Sequence, residues 1–328
     1  MCNGYDTPYH GVKRDLAEKI KELTQIWMVG IKHRRIAHKN NIYSWDNPKC
    51  NSKIMGINGD KISPIVNQII QINRDSPDLI RPSIIKNNIH NWQHAHVLDF
   101  YIDFEGINGC LYNKEINLRN SKADSQLLFL IGIGYEENNN WIYKSFIANS
   151  VSREEEKKIV TEFIKFIENR IKVYMNHHNI TRNQCKPRLF HWSHAEKSIF
   201  NMLNKRHNNE FCEWVNKMTW IDMCKVFIDE PIVIKGAKKF NLKEIAKTMV
   251  SHNMIKSKWN FNGPENGLNA MFEAIDYYKY MSNPNKNLQK YQEYIELMTS
   301  IIDYNEIDCK VVWEIVKYLR NNHTINAK

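Results

Sequence analysis

Three apolar, strand-like runs follow one another between residues 97 and 149 with no helical stretch between them, and this order limits the fold more than any other feature. The runs are VLDFYIDFEG (97–106), QLLFLIGIGYE (126–136) and NWIYKSFIAN (140–149), with a polar loop to about residue 124 after the first. Consecutive strands joined without a helix pair antiparallel, because a parallel return needs a crossover of a dozen or more residues. Ser152 followed by Glu155 has capping-box spacing and predicts a long amphipathic helix to about residue 176. A short strand (187–193), a helix (194–206) and an extended piece in MTWIDMCKVF come next. Asn241 and Glu244 then cap a short helix, and helical runs over 265–281 and about 288–320 complete the order β-β-β-α-β-α-β-α. This is a mixed sheet flanked by helices. A doubly wound sheet would alternate strand and helix from its first strand and carry a glycine fingerprint; neither is present.

Residues 1–96 have a different texture. DLAEKIKELTQIWMVGIKHRRIAHKNNIYSWDNP shows helical periodicity, a turn at Gly30 and a second short helix rich in Lys, His and Arg. ISPIVNQIIQIN predicts another helix, and SPDLIRPSIIKNN a Pro-marked linker. The first stretch reads in two ways. It has the rhythm of a helix–hairpin–helix element, whose amides and cations meet a phosphate backbone, although Met28 stands where a first glycine is expected. It also reads as a small helical packing unit with a solvated basic face. The expected division is a helical, basic region over 1–90 and an α/β domain over 91–328.

The chain carries 46 Lys and Arg against 36 Asp and Glu, net +10, with a pI of about 9.1. Such an excess suits a polyanionic partner, since neutralising phosphates releases counterions. It equally suits an AT-rich coding genome, which enriches Lys, Asn and Ile. Seven cysteines (Cys2, Cys50, Cys110, Cys185, Cys212, Cys224 and Cys309) form no CxxC pair, which argues for a reducing compartment and against a zinc ribbon. No apolar signal segment and no run of about 18 apolar residues occurs. A soluble, cytoplasmic protein without membrane contact is expected.

The first strand poses the chemical question. Side chains alternate along a strand, so Asp103 and Glu105 project from one face. Two like charges there repel and are poorly solvated, and a hard divalent cation relieves both problems. The bland alternative ends the strand at Glu105 in a solvated turn before Gly106. Two further segments bring acids. Tyr304 and Asp308 in DYNEIDC lie four apart on one helical face. LFHWSHAEKSIF runs from strand into helix and places Glu196 near the helix start.

These three segments, in this order, resemble the DEDD superfamily of 3′–5′ exonucleases. DFE is similar to the first motif of that family, and YNEID to its third motif in the Tyr-x3-Asp form; a His-x4-Asp form is excluded because residue 303 is Asp303. The second motif departs from the usual Asn-x3-aromatic-Asp. Here it is His191-Trp192-Ser193-His194-Ala195-Glu196. In that departure the chain resembles a narrower group, the RNase H-like domain at the C-terminal end of predicted RecB-type nucleases. The likeness also takes in WIDMCKVF, FNLKEIA and the upstream IWMVGIKHRRIAHKNNIYSWDNP and RDSPDLIRP, about residues 15–320.

The resemblance implies an RNase H-like mixed sheet with a helical N-terminal extension. It implies two Mg²⁺ or Mn²⁺ ions held by Asp103, Glu105, Glu196 and Asp308, and Tyr304 orienting the attacking water. The substrate would be nucleic acid, DNA over RNA, engaged at single strands or 3′ ends, with a nuclease or helicase as a possible partner protein. No iron–sulfur cluster is implied. Two other readings stay open: a catalytically silent nucleic-acid-binding or scaffold module of the same fold, and an endonuclease within a repair or replication assembly. Around the acids, Asp222 reads as an acid behind the metal ligands or as a plain cap. His191 and His194 read as metal or phosphate partners, or, for His191, as a hydrogen-bonded core residue. Lys235, Lys238 and Lys239 read as channel-lining or solvated. Trp141, Tyr143 and Trp192 read as base-stacking or core aromatics.

Overall fold

The computed structural model describes residues 8–108, 126–259, 264, 266–285 and 287–325. The polar loop expected up to residue 124 therefore lies outside the described residues from position 109 on, as does the extreme N-terminus. The chain divides into two compact units. The first comprises 1–88, 224–255 and 321–328, and the second 89–223 and 256–320. Among the described residues no helix is long and apolar enough to cross a membrane. Cys50, Cys185, Cys212, Cys224 and Cys309 hold no disulfide.

The first unit opens with α1 (His10–Lys19), a 3₁₀ turn over Leu23–Gln25, and α2 (Ile31–Lys39). Gly30 caps α2, and its N–H donates to His33 Nδ1 at 3.2 Å. Met28 takes φ 62, the left-handed region that favours glycine; it is the position at which the hairpin reading expects one. Glu22 joins the 3₁₀ turn to α2, accepting from Thr24 N–H at 3.2 Å and from Arg34 Nε at 3.1 Å. Burial raises the Glu22 carboxyl, but the Thr24 amide and the Arg34 guanidinium outweigh it and hold the group below its ordinary value. Next, α3 (Ile62–Arg74) buries Ile65, Val66, Ile69, Ile70 and Ile72 at helical spacing. The segment expected as a linker contains β1 (Ile80–Arg81).

The second unit is built on a five-stranded sheet. Its strands are β2 (Asp99–Asn108), β3 (Gln126–Glu137), β4 (Asn140–Ile147), β5 (Arg188–His191) and β6 (Thr219–Asp222), in the spatial order β4-β3-β2-β5-β6. The three leading strands pair antiparallel as expected, and β5 and β6 add in parallel on the other side of β2. Asn138 and Asn139, both at positive φ, make the two-residue turn between β3 and β4. The long helix α4 (Arg153–His178) begins where predicted, with Ser152 accepting from Glu155 N–H at 3.2 Å. The Glu155 carboxylate reaches past Ser152 to Asn149 N–H at 2.7 Å, so the box is closed one turn further upstream. After β5 come α5 (Ala195–Arg206) and α6 (Cys212–Lys217).

The sheet faces differ in chemistry. Phe100, Ile102 and Phe104 of β2 join Phe163 of α4, Phe200 of α5 and Trp214 of α6 in one apolar cluster. Tyr101, Asp103 and Glu105 point to the opposite side, as strand alternation requires. On the apolar side one carboxylate is fully buried. Glu156 accepts from both Leu128 N–H at 2.8 Å and Arg206 Nη1 at 2.6 Å, with His207 Nε2 at 2.9 Å.

MTWIDMCKVF is extended only to Asp222. It continues as α7 (Met223–Asp229), because Met223, Val226 and Phe227 are buried at helical spacing. In the first unit β7 (Val233–Ile234) pairs antiparallel with β1, and α8 (Leu242–Ser251) follows with Asn241 accepting from Glu244 N–H as predicted. Two-residue strands carry no periodicity, so this pair left no trace in the sequence. Asn73 of α3 fixes the turn after β7, donating to Ala237 O and accepting from Gly236 N–H. Finally α9 (Gly267–Ser282) and α10 (Tyr291–Asn322) form.

Glu156 offers a test of this frame. Glu156→Ala should lower stability in urea unfolding by about 3–5 kcal/mol, because Arg206 is left charged and buried. Glu156→Met with Arg206→Met should recover more than half of that. A loss under about 1 kcal/mol in the single variant would show that the pair does not anchor α5.

Candidate metal centre

Strand β2 and helix α10 supply the site. Asp103 and Glu105 stand on one face of β2. The register to β3 steps from Leu130 opposite Glu105 to Leu128 opposite Gly106, so a bulge at Phe129 sits beside the second acid. From α10 come Tyr304, Asn305 and Asp308, buried on the same helix as aliphatic Ile301, Val312 and Ile315. One carboxylate oxygen each from Asp103, Glu105 and Asp308 lies within 4.8 Å of the others. Glu105 and Asp308 are buried, and Asp103 is partly open to solvent.

Each acid has a distinct hold. Asn305 Nδ2 donates to Asp103 Oδ2 at 2.7 Å, and Asn305 Oδ1 accepts from Tyr143 O–H at 2.8 Å. Trp259 Nε1 donates to Asp308 Oδ1 at 3.0 Å. Glu105 Oε2 lies 3.9 Å from where a Cβ on Gly267 would sit, at the N-terminus of α9, where the helix dipole favours negative charge. Asp103 makes no ion pair with Lys or Arg among the described residues. Burial, followed by the charges of Asp308, Glu105 and Glu196, pushes its carboxyl well above the ordinary range. The Tyr304 phenol is also driven upward, by burial first and then by Asp308, Glu105 and Asp103.

Glu196 does not join the close group. It sits in the first turn of α5, buried, with Oε2 3.1 Å from His191 Nδ1. That nitrogen also lies 2.6 Å from the carbonyl of Ser193, so it carries the proton. Glu196 still contributes to the field on Asp103. Asp222 Oδ1 accepts from Ser193 N–H at 2.9 Å and braces the turn that presents Glu196. His191 is buried; His194, the N-cap of α5, is exposed. Trp141 Nε1 donates to Glu306 at 3.0 Å, and its ring packs 5.2 Å from that of Trp313. Trp192 is buried. In the first unit, Lys235 Nζ donates to Ser76 O and Lys238 Nζ pairs with Glu18, while Lys239 is exposed.

Sequence reasoning did not find Asn305 or Trp259, and it singled out Tyr143 as a base-stacking or core aromatic rather than as the donor to Asn305. One signal for the first was available. Gly132 interrupts the apolar run LIGIGYE, and an isolated strand glycine often marks close approach. A Cβ there would lie 1.7 Å from Asn305 Oδ1. Gly134 leaves room for Trp141 in the same way, with a Cβ 1.9 Å from Cη2.

Chemically, a cluster of three carboxylates offers only hard oxygen ligands and suits a hard divalent cation and no soft one. Comparison of the chain with protein-family models, with curated proteins and with solved structures returns no match.

Two outcomes follow from the geometry. An Asp103 carboxyl raised in the folded state destabilises it at neutral pH; that penalty begins to shrink as pH falls below the raised value and is gone only at the ordinary carboxylate range of the unfolded chain. In EDTA, Asp103→Asn should therefore melt above wild type at pH 8, with the gap closing as pH is lowered toward 5. Mn²⁺ should raise the melting temperature of wild type and leave the variant's unchanged; a variant stabilised equally by Mn²⁺ would contradict the ligand set. Separately, Gly132→Ala should expel Asn305. In a double-mutant cycle with Asn305→Ala the coupling should reach about 1–3 kcal/mol, whereas additive losses would show that the glycine gap is idle.

Proposed function

We propose that the second unit is an RNase H-like, metal-dependent 3′–5′ exonuclease that hydrolyses nucleic acid phosphodiesters, DNA in preference to RNA. The observation that carries this reading is the convergence of Asp103, Glu105 and Asp308, from a strand and a helix far apart in sequence, with oxygens within 4.8 Å. Three leading antiparallel strands, followed by parallel strands each preceded by a helix, support the fold assignment. So does the order of the acid-bearing segments along the chain.

Asp103, Glu105 and Asp308 would hold one Mg²⁺ or Mn²⁺, with Glu196 available to a second. When bound, such ions supply Lewis-acid stabilisation to the attacking and leaving oxygens of an in-line displacement. Asn305 Nδ2 holds Oδ2 of the Asp103 carboxylate and limits its rotation. Tyr304 stays protonated, since burial and three neighbouring acids oppose its ionisation. It acts as a hydrogen-bond donor and orients a water or a phosphate oxygen. Trp259 limits the rotation of Asp308.

A second reading, nucleic-acid binding without hydrolysis, draws on Glu196, which lies outside the close group and is bonded to His191.

End-labelled single-stranded DNA and RNA, incubated side by side with Mg²⁺, Mn²⁺ or EDTA, decide between them. Metal-dependent release of 3′-terminal mononucleotides is expected. The Asp103→Asn, Asp308→Asn double variant should lose at least about a hundredfold in rate, and Tyr304→Phe on the order of a hundredfold in kcat with unchanged Mn²⁺ affinity. Undiminished degradation by the double variant would overturn the metal assignment. Cleavage of circular substrate would overturn the exonuclease assignment.

A further inference from the structure

We infer that the first unit captures the nucleic acid, through a cationic face built on α2 and the turn packed against it. The partner class rests on the reading of the acidic centre given above; the location rests on how charge is divided. Of the 46 Lys and Arg, 21 fall in residues 1–88, 224–255 and 321–328, as do 11 of the 36 Asp and Glu. The second unit holds the other 25 of each sign. The whole net charge of +10 thus belongs to the first unit. A coding bias toward lysine would act on both units alike, and the balanced second unit argues against it as the source.

Within the first unit the acids are largely engaged internally. Glu22 pairs with Arg34, Asp46 with Lys21, Asp78 with Arg81 and Glu18 with Lys238. Glu230 and Glu244 accept backbone N–H groups. By contrast Lys32, Arg35, Lys39 and Lys53 are exposed and form no ion pair among the described residues. Lys32, Arg35 and Lys39 make one stripe along α2 at i, i+3 and i+7. The stripe runs about 10 Å, enough to meet roughly three phosphates of one strand.

Lys53 belongs to the same neighbourhood. Asn40, the C-cap of α2, donates to the carbonyl of Ile54 at 3.4 Å. Ile36 of α2 covers Gly56, where a Cβ would lie 2.8 Å from its Cδ1. Tyr43 is 59% exposed, its ring 4.9 Å from that of His38, and it offers a stacking face beside the cations. A row of unpaired cations with an exposed aromatic at its end fits a phosphate backbone bearing bases.

The test is fluorescence anisotropy of labelled single-stranded DNA and RNA 20-mers with the full chain in EDTA, across a salt series. Lys32→Gln, Arg35→Gln, Lys39→Gln, Lys53→Gln together should weaken binding at least tenfold near 0.1 M salt. The slope of log K against log salt should fall by about 2–3, since each single-strand phosphate contact contributes roughly 0.7. The control set Lys165→Gln, Lys172→Gln, Lys186→Gln, Lys205→Gln removes the same charge from exposed positions of the second unit and should leave affinity within about twofold. Should the quadruple variant not fold, Lys32→Gln with Lys39→Gln should lower the slope by about half as much. An unchanged slope in the α2 variants, or equal weakening by the control set, overturns the proposal. The DNA and RNA arms report which polymer is preferred. Binding in EDTA needs no hydrolysis, so intact capture beside a failed degradation assay would sink the nuclease reading alone, and the reverse would sink only this one.

Discussion

Holding like charges together is the constraint around which the second unit is organised. Asp103, Glu105 and Asp308 would move apart if the backbone let them, because burial weakens the solvation that normally screens carboxylates. Strand alternation denies Asp103 and Glu105 that freedom. Asn305 and Trp259 deny it to Asp103 and Asp308 by single directed hydrogen bonds. The Tyr143–Asn305–Asp103 chain is short, and it exists only because Gly132 has no side chain. A cluster strained in this way is what a divalent cation can neutralise.

The frame that resists this repulsion is itself polar at several points. Asp99, at the start of β2, accepts from Arg188 Nε at 2.6 Å and from Arg320 Nη2 at 2.9 Å, so β2, β5 and α10 meet at one buried carboxylate. Both guanidiniums lie over the Phe190 ring, at 5.6 and 5.3 Å, and Tyr101 stacks on it at 5.1 Å. On the apolar face, Glu156 gathers β3, α4 and α5. Buried ion pairs contribute little net stability, since desolvation offsets most of their attraction. Their directed geometry fixes register instead, while the aromatic cluster around Phe163 and Phe200 supplies the driving force.

The two units divide the physics. The second is charge-balanced and concentrates acids at one place; the first carries all the net positive charge on a small scaffold held by α3, α8 and the β1–β7 pair. That scaffold is discontinuous. Residues 224–255 complete a unit begun by 1–88, and contacts such as Asn73 with Gly236 and Ala237 join them. Long-range pairing of this kind leaves no periodicity to read.

Much was nonetheless legible. The three leading strands, α4 with its Ser152 cap, the Asn241 cap of α8 and the long α10 follow from period and capping chemistry, which are local properties. The same-face placement of Asp103 with Glu105, and of Tyr304 with Asp308, follows from the repeat of strand and helix. Residue order therefore determined the elements and which acids share a side of each. Only the folded chain decided which acids meet. Asp308 reaches Asp103 and Glu105, while Glu196 is turned toward His191. Those distances depend on how α10 crosses β2, on the gap at Gly132 and on the bulge at Phe129. They are sums of packing over distant segments, and packing at that range has no local signature in sequence.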